Sequence, residues 1–127
     1  MGIHDFRHLW CWQLSEELKL EVLALIAVPP ACRDFKFCDQ IRGSASSAPR
    51  NIAEGFGRGR PREFARFLDY ALGSLNETKD ALIDARDRRY ASPTLVSRLL
   101  NLCGAAIRVT KRLRDAKRRQ AAQRPAR

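Results

Sequence analysis

A chain of 127 residues, 45% of them hydrophobic, has room for one domain and one core. Its formal net charge of +10 points to an anionic partner, nucleic acid or an acidic membrane surface, and is silent about fold. The longest apolar run, Val22 to Pro30, is far short of the roughly 20 residues of a spanning helix, which argues against a transmembrane segment. No signal peptide is evident either, so a soluble cytoplasmic protein with no membrane partner is expected.

Apolar residues recur at three and four along the whole chain and never alternate over a useful stretch, so the fold class is all-α. The first helix is expected from about His8 to Ala27, with Leu14, Leu18, Val22 and Leu25 on one face, and Pro29 and Pro30 end it. The second begins near Phe37 or Asp39 and carries Phe37, Ile41, Ala45, Ala48 and Ile52, until Gly55, Gly57 and Gly59 break the pattern. Pro49 lies inside this stripe, where it removes a backbone donor and crowds the carbonyl of Ala45. A bend is expected there, or alternatively a helix that ends at Ala48 and restarts at Pro49.

The third helix starts after Arg60 with Pro61 in its first turn, where the missing N–H costs little. Phe64, Phe67, Ala71, Leu75, Thr78, Leu82 and Ala85 then alternate threes and fours, the spacing of a left-handed bundle seam, over about 25 residues. Tyr90 to Pro93 makes the next turn. In the fourth helix Leu95, Leu99, Leu102, Ala106, Val109 and Leu113 form one row, and Val96, Leu100, Cys103 and Ile107 a second beside it. That face is wide enough for two neighbours within the bundle, or for a neighbour and another subunit.

Four cysteines, Cys11, Cys32, Cys38 and Cys103, form no C-x-x-C pair and sit among apolar residues, which reads as buried thiols rather than disulfides or a metal knot. The two histidines, His4 and His8, lie at the N-terminus, and neither forms the Glu-x-x-His pair of carboxylate-bridged di-iron bundles. There is no nucleophile elbow and no phosphate-cradling loop, and the glycine cluster from Gly55 to Gly59 follows no strand and reads as a flexible connection between helices. No catalytic residue, no cofactor and no metal is therefore expected. One polar constellation stands out: Gln40, Arg42, Asn51 and Glu54 on the second helix with Ser74 and Glu77 on the third. Glu54 and Glu77 could be paired acids, but without a histidine or a metal signature the better reading is a structural network that sets helix register, with Arg42 or Arg58 as ion-pair partners.

Charge is concentrated at the C-terminus. From residue 108 onward nine basic residues face one acid, Asp115, a net +8 that leaves only +2 for the first 107 residues. Beyond Lys117 the only apolar side chains are alanines and a proline, so residues 1–116 are expected to form the bundle and 117–127 a basic, disordered tail.

The segment Gln40-Ile41-Arg42-Gly43-Ser44-Ala45-Ser46-Ser47-Ala48-Pro49-Arg50-Asn51-Ile52-Ala53-Glu54-Gly55 resembles the central motif of the four-helix-bundle family of 23S rRNA intervening-sequence proteins, with Asn51 to Gly55 matching fully and Arg58 following. Phe64, Phe67 and Leu68, then Ala71-Leu72-Gly73-Ser74-Leu75-Asn76-Glu77, and Leu9, Trp12, Gln13 and Leu18 in the opening helix, are similar to further family positions, so the resemblance spans about residues 6 to 115. Gly43 departs from it, standing where a second arginine is usual. The resemblance implies an up-and-down four-helix bundle assembled as a homopentamer. It also implies, by analogy with one branch of relatives, an accessory role beside a reverse transcriptase.

Together these readings lead to a non-enzymatic accessory protein that binds nucleic acid, RNA favoured. Arg108, Lys111, Arg112, Arg114, Lys117, Arg118 and Arg119 would contact phosphates without reading sequence. The aromatic residues, few and mostly at core spacing, argue against base stacking as the main mode. The rival is an oligomeric protein-interaction scaffold whose basic end serves only solubility.

Overall fold

A computed structural model describes residues 2–123. Within them the chain forms four α-helices and no strand: α1 (Trp10–Ile26), α2 (Phe35–Arg58), α3 (Pro61–Asp87) and α4 (Pro93–Gln123). Single 3-10 turns at Phe6–His8 and Ala31–Arg33 precede α1 and α2.

Each helix boundary has a local cause. The Asp5 carboxylate accepts from the Arg7 backbone N–H at 2.8 Å and pairs with the Arg7 guanidinium, while the Gln13 side-chain amide donates to the Arg7 carbonyl, fixing the turn that leads into α1. α2 begins two residues before Phe37 because Asp34 caps it, its carboxylate accepting from the Phe37 N–H at 3.1 Å. The helix then runs unbroken through Pro49, which is buried, so the alternative of a break at Ala48 is set aside.

The glycine cluster is a correction to the sequence reading. Gly55 and Gly57 belong to α2, and only Gly59, at φ 76°, makes the left-handed stop. Gly55 serves close approach instead: a Cβ there would lie 2.8 Å from the Phe67 Cβ and 2.9 Å from the Phe64 Cδ1. The glycine lets α2 and α3 touch backbone to side chain at that level.

α3 opens with Pro61 at its first turn and runs 27 residues. It closes in a Schellman arrangement: the Tyr90 N–H donates to the Ala85 carbonyl at 2.8 Å and the Arg89 N–H to that of Arg86 at 3.1 Å, with Arg89 left-handed at φ 61°. Ser92 caps α4, its hydroxyl accepting from the Leu95 N–H. α4 continues as helix through Gln123, where the sequence suggested disorder from Lys117 onward. Alanine, glutamine, lysine and arginine are strong helix formers, and contacts to α3 described below hold the last turns. Arg124 to Arg127, the remainder of the expected tail, lie outside the described residues.

Successive helices run antiparallel and each packs against the next, with α4 returning to α1. Between α2 and α3, Ser44 meets Thr78 and Ser47 meets Ser74, their hydroxyls 2.9 and 2.8 Å apart. The main core gathers Leu18, Val22, Ile41, Leu75, Leu82, Leu99 and Cys103, and a second cluster of Leu9, Cys11, Ile52, Phe64, Leu68 and Ala71 fills the end where α1 begins and α4 finishes. On α4 the buried line is Val96, Leu99, Cys103, Ala106 and Thr110, so the two apolar rows read from the sequence are the two halves and flanks of one inward face. All four cysteines are free; Cys11, Cys38 and Cys103 are buried and Cys32 is half-buried. Burial pushes the Cys11 thiol up to about 12 and the Cys103 thiol to about 11, which leaves both protonated and unreactive at neutral pH.

Candidate nucleic-acid interface

The antiparallel order brings the start of α1, the end of α2, the start of α3 and the end of α4 to one pole of the bundle. The seven basic residues singled out on α4, from its middle to that pole, divide into three groups. Arg108, Lys111, Arg112 and Arg119 are exposed and, among the described residues, have no carboxylate partner. At 100° per residue Arg108, Arg112 and Arg119 fall on the side of α4 opposite Leu99, Ala106 and Thr110, which makes them a solvent-facing row.

Arg114 and Arg118 form the second group. Both reach across to α3 and hold Asp69, at 3.0 and 2.8 Å, and Arg114 also pairs with Asp115. The Asp69 carboxylate, aided by Asp115, raises the Arg114 pKa further above its ordinary value, and that side chain is only 20% exposed. These two arginines brace the end of α4 against α3. Lys117 is the third kind: half-buried, its ammonium 5.5 Å from the centroid of the Phe64 ring.

Four arginines that the sequence reading left out of the basic surface belong to the same pole. Arg58 ends α2, Arg60 lies in the connection, and Arg62 and Arg66 sit on the first turns of α3, with Glu63 the only acid among them. All four are exposed. Arg62 and Arg118 line one shallow depression with Ala65, Ala121 and Ala122, so the α3 end of this group adjoins the last turns of α4. The signal was available: Arg58-Gly59-Arg60-Pro61-Arg62 in an α2–α3 connection must, in an up-and-down bundle, lie beside the end of α4. The opposite half of the α2–α3 face is acidic, an open groove lined by Asp39, Glu77, Asp80, Asp84 and Asp87.

The polar network is smaller and less charged than expected. Asn51 and Ser74 belong to it, but through Ser47: the Asn51 amide donates to the Ser47 carbonyl and hydroxyl, both at 2.9 Å, and Ser47 meets Ser74. Thr78 and Ser44 extend it one turn along. Gln40, Arg42, Glu54 and Glu77 are exposed instead. Arg42 pairs with Asp39 and Glu54 with Arg58. Glu54 and Glu77 are not brought together, because the register that joins residue 44 to 78 puts Glu54 level with Leu68, about 13 Å along α3 from Glu77 at 1.5 Å per residue. Small hydroxyls win the interface because two helices this close have no room for guanidinium or carboxylate groups between them.

Among the described residues no three His, Cys, Asp or Glu side chains are grouped to hold a metal ion, and no helix is long and apolar enough to cross a membrane. No curated protein matches the chain significantly. The model of the family described as 23S rRNA-intervening sequence protein matches residues 7–112, which covers α1 to α3 and α4 as far as Arg112. With the four helices, the Asn51-to-Gly55 motif at the α2–α3 contact and the match over most of its length, the chain belongs to the 23S rRNA-intervening sequence protein family.

Proposed function

We propose that this protein is a non-enzymatic, self-associating accessory protein that binds nucleic acid, RNA in preference, through the basic pole of its bundle. The observation that carries the reading is the crowding of exposed cations at that pole: Arg62 lies beside Arg118 at the end of α4, with Arg58, Arg60 and Arg66 on the neighbouring elements and Arg119 at the end of α4, while Arg112, Lys111 and Arg108 continue the unpaired row back along α4. A rigid cationic surface built on helices holds phosphates at fixed spacing, and several such surfaces on one assembly would add avidity to individually weak contacts. The homopentamer implied by the resemblance, and a reverse transcriptase as protein partner, belong to this proposal and rest on that resemblance.

The test is a fluorescence titration with single-stranded RNA at several salt concentrations. Contact with about five phosphates gives a log–log slope near −3.5, from roughly −0.7 per phosphate. Replacing Arg108, Arg112 and Arg119 together by Gln should weaken binding and reduce the slope by about 2, while helicity stays unchanged because none of the three braces the bundle. Truncation after Ala116 is the poorer experiment, since it also removes Lys117 from Phe64 and Arg118 from Asp69. A wild-type protein that ignores RNA in dilute buffer would leave the rival reading, a protein-interaction scaffold. The exposed apolar side chains of α1 and its flank, Trp10, Leu20 and Val28, favour that second reading.

A further inference from the structure

Three aromatic side chains are largely exposed: Trp10, Phe35 and Tyr70. Phe35 starts α2 at the far pole, and Trp10 has no aromatic neighbour that carries a guanidinium among the described contacts. Tyr70 differs. It is half exposed, and its ring meets that of Phe67 edge to face at 5.4 Å. Phe67 in turn carries two guanidiniums, with the Arg58 Cζ 5.1 Å and the Arg66 Cζ 5.6 Å from its ring centroid. Arg66 is also one helical turn before Tyr70 on the same exposed stripe of α3, so the pair are surface neighbours.

The ring is also left uncovered. A helical side chain leans over the turn N-terminal to its own Cα, so the residues that would shade Tyr70 are those at 73 and 74. Position 73 is glycine, with nothing within 4 Å of where its Cβ would be, and Ser74 is turned into the α2–α3 contact, bonded to Ser47 and to the Tyr70 carbonyl. One phenol face therefore stands open at the edge of a surface rich in arginine.

We infer that Tyr70 is a stacking platform for an unpaired base, with Arg66, which has no carboxylate partner among the described residues, receiving the adjacent phosphate, so that the basic pole prefers single-stranded nucleic acid to duplex. This rests on the proposed binding of nucleic acid and adds the strand state of the ligand. A base in a duplex keeps both faces stacked on its neighbours and cannot lie on the ring, whereas any single-stranded base can, whatever its identity. It adds one stacked base to a surface whose main mode remains phosphate contact: most aromatic rings are in the core, and of the three that are exposed Tyr70 is the one beside Arg66.

The test uses the full-length protein with a fluorescein-labelled twelve-nucleotide oligouridylate and an RNA duplex of equal length. Tyr70→Ala should weaken the single strand by about fivefold or more, the low end of what one base–aromatic stack contributes. It should leave duplex affinity and the salt slope unchanged, and Tyr70→Phe should bind as the parent does. Gly73→Gln, which lays a side chain over the ring without removing it, should reproduce the single-strand loss and decides the matter if Tyr70→Ala proves unfolded by circular dichroism. If the parent binds RNA and both substitutions leave single-strand affinity within twofold, or weaken duplex equally, Tyr70 is no platform although the basic pole still binds. If the parent binds neither probe, the binding function itself fails and the inference with it.

Discussion

Glycine shows most directly what a single residue decides in this bundle, because the same residue type sits in opposite environments. At Gly43 and Gly73 an added methyl meets nothing within 4 Å, and both positions lie inside helices, so the glycines confer only backbone freedom that folding must remove. Gly43→Ala and Gly73→Ala should each stabilise by about 0.5–1 kcal/mol, read as a higher urea midpoint at constant m-value. Gly55→Ala should do the reverse, by about 1–3 kcal/mol, since its methyl has to displace Phe67 and Phe64 from α2. Equal effects at the three sites would mean that the α2–α3 approach is looser than its geometry. The sequence cannot separate these cases. Glycine letters look alike, and Gly55 reads as a helix breaker until the partner across the interface is known. The same holds for Ser44, Ser47 and Thr78, whose hydroxyls pair only because α3 supplies the other half.

Helix existence is legible from apolar spacing, and the boundaries follow wherever a side chain caps locally. Pro61 and Ser92 are of that kind, but the start of α2 depends on Asp34, whose value as a cap shows only with its distant partners. Its carboxylate accepts from the Phe37 N–H, from the Tyr90 hydroxyl at 2.6 Å and from Arg88 at 3.4 Å, tying the first turn of α2 to the turn between α3 and α4. The Tyr90 ring meanwhile packs edge to face on Phe37 at 5.0 Å. The Tyr90 hydroxyl and the Phe37 amide hold the Asp34 carboxyl below the usual carboxylate range, and the same bond raises the Tyr90 phenol above its own. The linkage signs are opposite. Stability from Asp34 is complete above its unfolded pKa, near 4, and is lost as pH falls through the lower folded value; stability from Tyr90 is complete below about 10 and is lost as pH rises through the higher folded value. Tyr90→Phe should therefore lower Tm at neutral pH and flatten the profile at both extremes, and Asp34→Asn should flatten the acid side in particular. A Tyr90→Phe profile parallel to that of the parent from pH 2 to 11 would show that this bond is not what links the two turns.

At the scale of the whole molecule, the topology does what no stretch of sequence does alone: it gathers arginines separated by some fifty residues onto one pole and leaves acids on the far half of the α2–α3 face. It also leaves the last two turns of α1 apolar on both sides. Cys11, Leu18, Val22 and Leu25 face the core, yet Leu20 is 55% exposed on the opposite side, with Ala24 and Ala27 exposed beside it, Val28 53% exposed just beyond, and Leu23 half-buried at the edge. A helix end that is apolar on both sides normally lies in an interior, and from Val22 onward α1 carries no polar side chain. For a domain of this size, covering that side with another subunit is the natural source of additional stability, and it is this face, rather than the wide face of α4, that the bundle leaves open. Leu20→Glu puts a charge at the centre of the patch without touching the core. It should shift the protein to smaller species in sedimentation velocity at micromolar concentration while helicity is retained, and the loss of avidity should weaken RNA binding without changing the salt slope per monomer. An unchanged sedimentation coefficient in Leu20→Glu would place any subunit contact elsewhere, and a protein already monomeric in the parent would remove self-association from the proposed function while leaving the basic pole as its proposed binding surface.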